Sequence, residues 1–218
     1  MARSRPRSRG IRNPVRNALL LGLFTAAGIA LIAVGVVDMR ASEGTGSPLM
    51  LPGLFLALLC PIACVHYLRT IAVVGGMRSG RDAIARWTVP ANEFNRFREG
   101  EARIPKRSVM VNFYKPPHYI PEGGVEVVFS NRGVLIGDGY FPLSSRRGRR
   151  IESVRHVDSN PPSIEFSLAM TSPVRTSSVT VDNVRATHAL RVPVAADATR
   201  QASEVVRCYQ AILHGRKA

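Results

Sequence analysis

The densest group of chemically active side chains in this sequence is a run of four arginines around one glycine. Arg146, Arg147, Arg149 and Arg150 flank Gly148, between two stretches predicted to be strands. Such a run could contact a lipid headgroup or a membrane surface, because each basic residue near an anionic leaflet contributes roughly 1 kcal/mol. The alternative is a solvated loop in a chain that is rich in arginine throughout.

The other residues that could do chemistry are scattered. No HExxH, GxSxG, P-loop or GxGxxG motif occurs, and Ser144 and Ser145 have no visible base partner. The histidines lack any metal-ligand spacing, and they are His66, His118, His156, His188 and His214. We therefore expect no catalytic residue, metal site or cofactor, and predict that the protein is not an enzyme.

The cysteines do not form a disulfide framework. Cys60 and Cys64 are one helical turn apart in an apolar run, and Cys208 lies in a predicted C-terminal helix. The pair could serve in redox chemistry, metal binding or acylation, or it could simply pack, because cysteine behaves as a small hydrophobe. A single pair without histidine or carboxylate partners makes a poor metal site. We expect free thiols in a reducing cytoplasm.

The chain is strongly basic. Its formal charge is +15, from 30 basic and 15 acidic residues, and only Lys106, Lys115 and Lys217 are lysines. Such a skew is typical of a GC-rich genome, which weakens an argument from arginine count. A basic chain could attract nucleic acid or an anionic leaflet. The aromatic residues show no stacking motif, so nucleic acid is the weaker alternative.

Two uncharged apolar runs, Ala18–Val37 and Leu49–Leu68, predict a transmembrane hairpin with spans at about 18–37 and 49–70. Twenty helical residues span roughly 30 Å, the thickness of a bilayer core. Six arginines precede the first run, and more follow the second, beginning with Arg69. Because positive residues stay cytoplasmic, we expect both termini inside, in a bacterial inner membrane. We predict a basic N-terminus at 1–17, a hairpin at 18–77 and a cytoplasmic domain at 78–218.

Small residues recur on one face of the first span. Gly22, Ala26 and Ala30 are four residues apart, so another helix could approach closely there. The partner could be the second span or another copy of the chain, and the second span is always available. Arg69 can extend its guanidinium to the membrane interface. Trp87 either anchors at the interface or fills the soluble core.

The remainder of the chain predicts one helix, a series of short strands and a final helix. Pro90 precedes a helix over 91–103, in which Phe94 and Phe97 are buried and Glu101 is solvated. Turn residues divide the strands about every ten residues, as in an antiparallel sheet or small barrel. The predicted strands are Val125–Ser130, Val134–Ile136, Tyr140–Leu143, Ile151–Val157, Ser163–Met170, Ser177–Val181 and Thr187–Val194.

The final helix is amphipathic. Asp197 is its predicted N-cap, Gly215 its terminator, and apolar residues recur at helical spacing between them. About seven strands closed by such a helix outline a pleckstrin-homology (PH)-like barrel. The predicted fold class is therefore α+β: a two-helix transmembrane hairpin, then a mainly antiparallel PH-like barrel with a C-terminal capping helix.

Three short motifs carry a resemblance to a known family. They are Ala85-Arg86-Trp87 after the second span, the hairpin around Ser130–Ile136, and Leu190–Val194 before the final helix. With these the chain resembles bacterial two-span membrane proteins that carry a cytoplasmic PH-like domain. The resemblance covers nearly the whole chain. It implies a fold and a topology, but no activity and no functional residues.

The sequence therefore favours a membrane-anchored, non-catalytic binding module at the cytoplasmic face. Its expected partners are the lipid bilayer and, as alternatives, an anionic phospholipid, a membrane protein or another copy of the chain. A structural or assembly subunit of a membrane complex is the second hypothesis, in which a sheet edge or groove contacts a protein. A nucleic-acid-binding membrane protein is the weaker third.

Overall fold

The computed structural model describes residues 10–41, 47–104, 112–143, 149–175 and 181–215. The chain forms two compact units. One is the helical unit, Asn13–Gly75, and the other is the soluble unit, which contains Gly76 onward together with the segment that ends at Arg12.

The helical unit contains two helices that are long and apolar enough to cross a membrane. They are α1, Pro14–Ala41, and α2, Met50–Arg78, whose last residues belong to the soluble unit. Only 11% of the most apolar window of each is buried, and Leu51 is 81% exposed. A core helix of a soluble domain would bury such side chains. Both helices extend beyond the predicted spans, and 28 residues measure about 42 Å.

Glycines, not the predicted stripe, bring the two helices together. A Cβ atom on Gly28 would lie 2.9 Å from the carbonyl oxygen of Gly53, and one on Gly53 would lie 2.9 Å from that of Gly28. Gly22, Ala26 and Ala30 are exposed, and Gly22 has nothing within 4 Å of such an atom. The interpretation that this stripe packs within the hairpin is therefore corrected, because backbone contact at Gly28 and Gly53 places it on another face.

The soluble unit contains two antiparallel sheets. The first has the strand order β1-β2-β3-β4 and the second the order β5-β6-β7. The first consists of Ala85–Val89, Val125–Ser130, Gly133–Ile136 and Gly139–Pro142. The second consists of Arg149–Val157, Ser163–Arg175 and Val181–Pro193.

The seven described strands do not close into the predicted barrel. Where β1 approaches the end of β7, the indole Nε1 of Trp87 donates to the carbonyl oxygen of Pro193 at 3.1 Å. A side-chain hydrogen bond therefore joins β1 to β7 here, in place of a ladder of backbone hydrogen bonds. Pro193 has no N–H with which to extend such a ladder. The predicted strand at 187–194 is part of a longer strand that begins at Val181, and residues 177–180 of the other predicted strand lie outside the described residues.

Two helices complete the core as predicted. α3, Ala91–Arg103, buries Phe94 and Phe97, and α4, Thr199–Leu213, buries Tyr209 among others. The Asp197 prediction is wrong, because a 3-10 turn over Ala196–Ala198 precedes α4 and no side chain caps it. The positive φ of Gly215, 73°, suits the predicted end of the helix.

The β2–β3 hairpin forms where predicted. Ser130 pairs with Gly133, leaving Asn131 and Arg132 in the turn. The glycine is required by close packing, since its Cβ would lie 2.4 Å from the carbonyl oxygen of Phe141. Positive φ is needed instead at Gly137, in the turn between β3 and β4, where φ is 56°.

Candidate functional site

The end of α2 is built into the soluble unit. Met77 is fully buried, and Arg86 donates from Nη2 to the carbonyl oxygen of Met77 at 2.9 Å and to that of Arg78. The last carbonyls of a helix have no intrahelical partner, and a cation there faces the negative end of the helix dipole. Arg86, on β1, therefore caps α2, a role that its sequence position did not reveal.

The segment before α1 also belongs to the soluble unit. Ile11 donates its N–H to the carbonyl oxygen of Tyr140 at 2.8 Å, and Tyr140 donates to that of Ile11 at 3.1 Å. Ile11 thereby covers the edge of β4. The sequence predicted only a basic N-terminus here, because a single bridge leaves no periodic apolar pattern.

The turn between β3 and β4 meets the end of α2 as well. Asp138, in that turn, lies 3.4 Å from Nη2 of Arg78, the last residue of α2. Both side chains are exposed, so the pair contributes at most about 1 kcal/mol. The residues that flank the two apolar helices, Ile11 and Arg78, thus reach the same β3–β4 hairpin.

A cavity of about 430 Å³ lies beside this hairpin, and we name it the hairpin cavity. Its lining combines basic, aromatic, apolar and acidic side chains with three glycines. The lining residues are Arg12, Tyr114, Lys115, Pro117, His118, Tyr119, Pro121, Gly124, Val125, Glu126, Ile136, Gly137, Asp138 and Gly139. The cavity is formed entirely by residues of the soluble unit.

Hydrogen bonds at both ends hold the loop that carries Lys115. Asn112 accepts the N–H of Tyr114 at 3.0 Å and donates from its own amide to the carbonyl oxygen of Arg191, on β7, at 3.1 Å. At the other end of the loop, Arg98 of α3 donates to the carbonyl oxygen of His118 at 2.8 Å. Lys115 lies between these two attachments, and its exposed side chain is carried on a fixed backbone.

The electrostatics of the hairpin cavity favour an anion. Its two carboxylates have arginine partners outside the lining: Glu126 lies 3.3 Å from Arg86, and Asp138 pairs with Arg78. Lys115 therefore adds a positive charge that these two pairs do not offset. Burial raises the pKa of the nearby Tyr114 phenol, while the charge of Arg12 lowers it, and the net shift is upward. Tyr114 is therefore a neutral hydroxyl at physiological pH.

The predicted arginine run falls largely outside what the structure describes. Arg146 and Arg147 lie outside the described residues, Arg149 is the first residue of β5, and Arg150 is exposed on β5. The hypothesis of a lipid contact there stays a prediction.

The two predicted interface anchors have different surroundings. Arg69 is exposed on α2. Trp87 is buried in the core of the soluble unit, where its ring lies 4.9 Å from that of Phe129 between centroids. Trp87 was predicted either to anchor at the membrane interface or to fill the core, and the structure places it in the core.

A buried ion network ties α3 to the second sheet. Arg191 donates from Nη1 to Glu101 at 2.7 Å and from Nε to Glu165 at 2.8 Å, and Arg155 reaches the other oxygen of Glu165 at 2.6 Å. The prediction that Glu101 is solvated is wrong. Its partner is ninety residues away in the sequence, so helical periodicity alone could not identify it.

No metal centre is present among the described residues, in which no group of three or more His, Cys, Asp or Glu side chains could hold an ion. Cys64 lies 3.6 Å from the carbonyl oxygen of Ala18 within the helical unit.

Comparisons with protein-family models, curated proteins and solved structures find no match to this chain.

Proposed function

We propose that this chain is a membrane-anchored, non-catalytic binding module at the cytoplasmic face of a bacterial inner membrane. In this proposal its PH-like soluble unit contacts anionic lipid or a membrane protein at that surface. One observation carries the proposal: Ile11, before α1, and Arg78, at the end of α2, are both bonded to the β3–β4 hairpin.

Helix length supports a location at the membrane surface. Each apolar helix measures about 42 Å, which matches a whole bilayer with its headgroup regions. If α1 and α2 cross the bilayer, their ends at Pro14 and Arg78 lie at headgroup depth. The β3–β4 hairpin, which is bonded to Ile11 and Arg78, then lies at the same surface.

The charge pattern supports the cytoplasmic side. Arg12 precedes α1 and Arg16 lies in its first turn, while Arg78 ends α2 and Arg81 and Arg86 follow it. Positively charged flanks of short segments stay in the cytoplasm, so both termini belong there. Seven antiparallel strands in two sheets, with an amphipathic C-terminal helix, are consistent with a PH-like unit.

Two readouts on the full chain in a bacterial host test this proposal. We expect the chain to stay in the membrane pellet after carbonate extraction. A C-terminal green fluorescent protein should fluoresce, and alkaline phosphatase inserted at residues 42–46 should be active, because that loop would be periplasmic. Release by carbonate, or phosphatase activity from a C-terminal fusion, would refute the anchored topology.

A further inference from the structure

We propose that the hairpin cavity binds the headgroup of an anionic phospholipid, with the phosphate held by Lys115 and Arg12. This inference rests on the proposed function, because it requires the soluble unit to lie at a bilayer surface. It selects anionic lipid, and not a membrane protein, as the ligand and names the site and the residues that hold it.

The polar side of the cavity fits a phosphodiester. Lys115 presents an ammonium group and Arg12 a planar guanidinium, and both are standard partners of phosphate oxygens. The acidic lining residues, Glu126 and Asp138, face arginines of their own at 3.3 and 3.4 Å. Because both carboxylates are paired with arginines, the ammonium group of Lys115 contributes a positive charge to the lining that attracts an anion.

The apolar side of the cavity distinguishes a lipid from a free phosphate ion. Pro117, Pro121, Val125 and Ile136 supply a wall that an inorganic anion would not contact favourably. The volume of about 430 Å³ lies within the range of about 300–1,000 Å³ that small-molecule sites occupy. A headgroup with its glycerol linkage has both the charge and the carbon surface that this lining matches.

The rim of the cavity has the composition of a membrane-interface surface. Tyr119 lines the cavity and is 78% exposed, which is unusual for so large a ring. Tyrosine is enriched at the headgroup level of membranes, because its ring is apolar and its hydroxyl is polar. We therefore assign Tyr119 to contact with the interface beside the bound lipid.

Chain connectivity brings the cavity to the lipid. Arg12 lies two residues before Pro14, where α1 begins, so it is within about 7 Å of the helix start even if extended. A helix of about 42 Å that crosses a bilayer begins at headgroup depth. Arg12 is thus at the level of the phosphates that we assign to it.

Native mass spectrometry of the full chain in mild detergent tests this assignment. Phosphatidylglycerol, phosphatidylcholine and inorganic phosphate are titrated separately, and the dissociation constant of the first adduct is measured for each. We expect phosphatidylglycerol to bind at least tenfold more tightly than either of the others. Inorganic phosphate that binds as tightly as phosphatidylglycerol would overturn the lipid assignment in favour of a free-anion site.

A matched pair of variants locates the binding. Lys115→Gln should weaken phosphatidylglycerol binding about tenfold, the loss expected for one charge-assisted hydrogen bond, and Lys115→Arg should restore most of it. Arg200→Gln removes the same charge from α4, where the side chain is 94% exposed and outside the cavity, and should change binding less than twofold. Equal effects of Lys115→Gln and Arg200→Gln would overturn the site, since the binding would then be nonspecific attraction.

A photoactivatable phosphatidylglycerol gives an independent location. Its headgroup should crosslink to peptides containing residues 115–125, and crosslinks confined to other peptides would overturn the proposal. Failure here is distinguishable from failure of the proposed function. A chain that resists carbonate extraction with the predicted topology, yet binds no lipid through Lys115, refutes the cavity assignment and leaves the membrane anchoring intact.

Discussion

Replacing Arg191 with Met removes the cation at the centre of the buried network while keeping a side chain of similar length. Arg191 has a side chain that is 11% exposed, and it contacts Glu101 and Glu165, whose side chains are each 7% exposed. The variant leaves both carboxylates buried without this partner. We expect a large loss of stability, because burying charge is costly unless it is paired.

The magnitude follows from burial. Removing one partner of a buried ion pair costs about 3–5 kcal/mol, whereas an exposed pair contributes about 0–1 kcal/mol. Arg155 offers a matched control, since it contacts the same Glu165 at 2.6 Å but is 55% exposed. Arg191→Met should therefore destabilise the soluble unit by several kcal/mol more than Arg155→Met. A domain is typically stable by about 5–15 kcal/mol, so the difference is large.

Urea unfolding of the full chain in mild detergent measures both variants. Trp87 is the only tryptophan, and it is buried beside Phe129, so its fluorescence reports on the soluble unit. Adding Glu101→Met to Arg191→Met should recover part of the lost stability, because it removes one of the two buried carboxylates that Arg191 contacts. Equal destabilisation by Arg191→Met and Arg155→Met would show that burial does not set the energy of this network and would refute the reasoning.

Three further predictions concern the helices, the α2 cap and alkaline pH. Gly28→Leu should lower the melting temperature of the helical circular dichroism signal, whereas Gly22→Leu should not, because only Gly28 has backbone atoms within 3 Å of its Cβ position. Arg86→Gln should cost about 1–3 kcal/mol in the urea assay, because the α2 carbonyls lose a charged donor. Burial raises the pKa of Tyr140 from 10.0 to about 12, so the unfolded chain loses this proton first. Its contribution to stability is complete below pH 10 and falls toward pH 12, and Tyr140→Phe should flatten that fall in unfolding measurements across this range.

Helices and strands whose residue pattern is contained in one continuous segment were predicted correctly from the sequence. The helix over 91–103 has the predicted bounds, because Pro90 fixes its start and Phe94 and Phe97 mark one face. β2 also has its predicted bounds, Val125–Ser130. The two apolar helices were predicted from charge-free runs, and hydrogen bonding carries them further, because a helix does not stop where its apolar residues stop.

Pairings across long sequence separations were not predictable from periodicity. The Glu101–Arg191 contact spans ninety residues, and Ile11 reaches Tyr140 across more than one hundred. Glu101 follows Phe97 by four residues and Phe94 by seven, which places it on the buried face of the helix, but no local pattern identifies Arg191 as its partner. The hairpin cavity was missed for this reason, since its lining comes from before α1 and from several places after α2.

The lining of the hairpin cavity comes from two parts of the sequence that the apolar helices separate. Arg12 precedes α1, and every other lining residue follows α2. Helices of 28 and 29 residues have nearly equal lengths, so an antiparallel pair returns the chain to the side from which it started. The backbone bonds between Ile11 and Tyr140 are worth only about 0.5–1.5 kcal/mol each. Ile11 and Arg78 nevertheless both contact the β3–β4 hairpin, so the segment before α1 and the end of α2 meet within the soluble unit. The complete cavity lining therefore combines the segment before α1 with residues that follow α2.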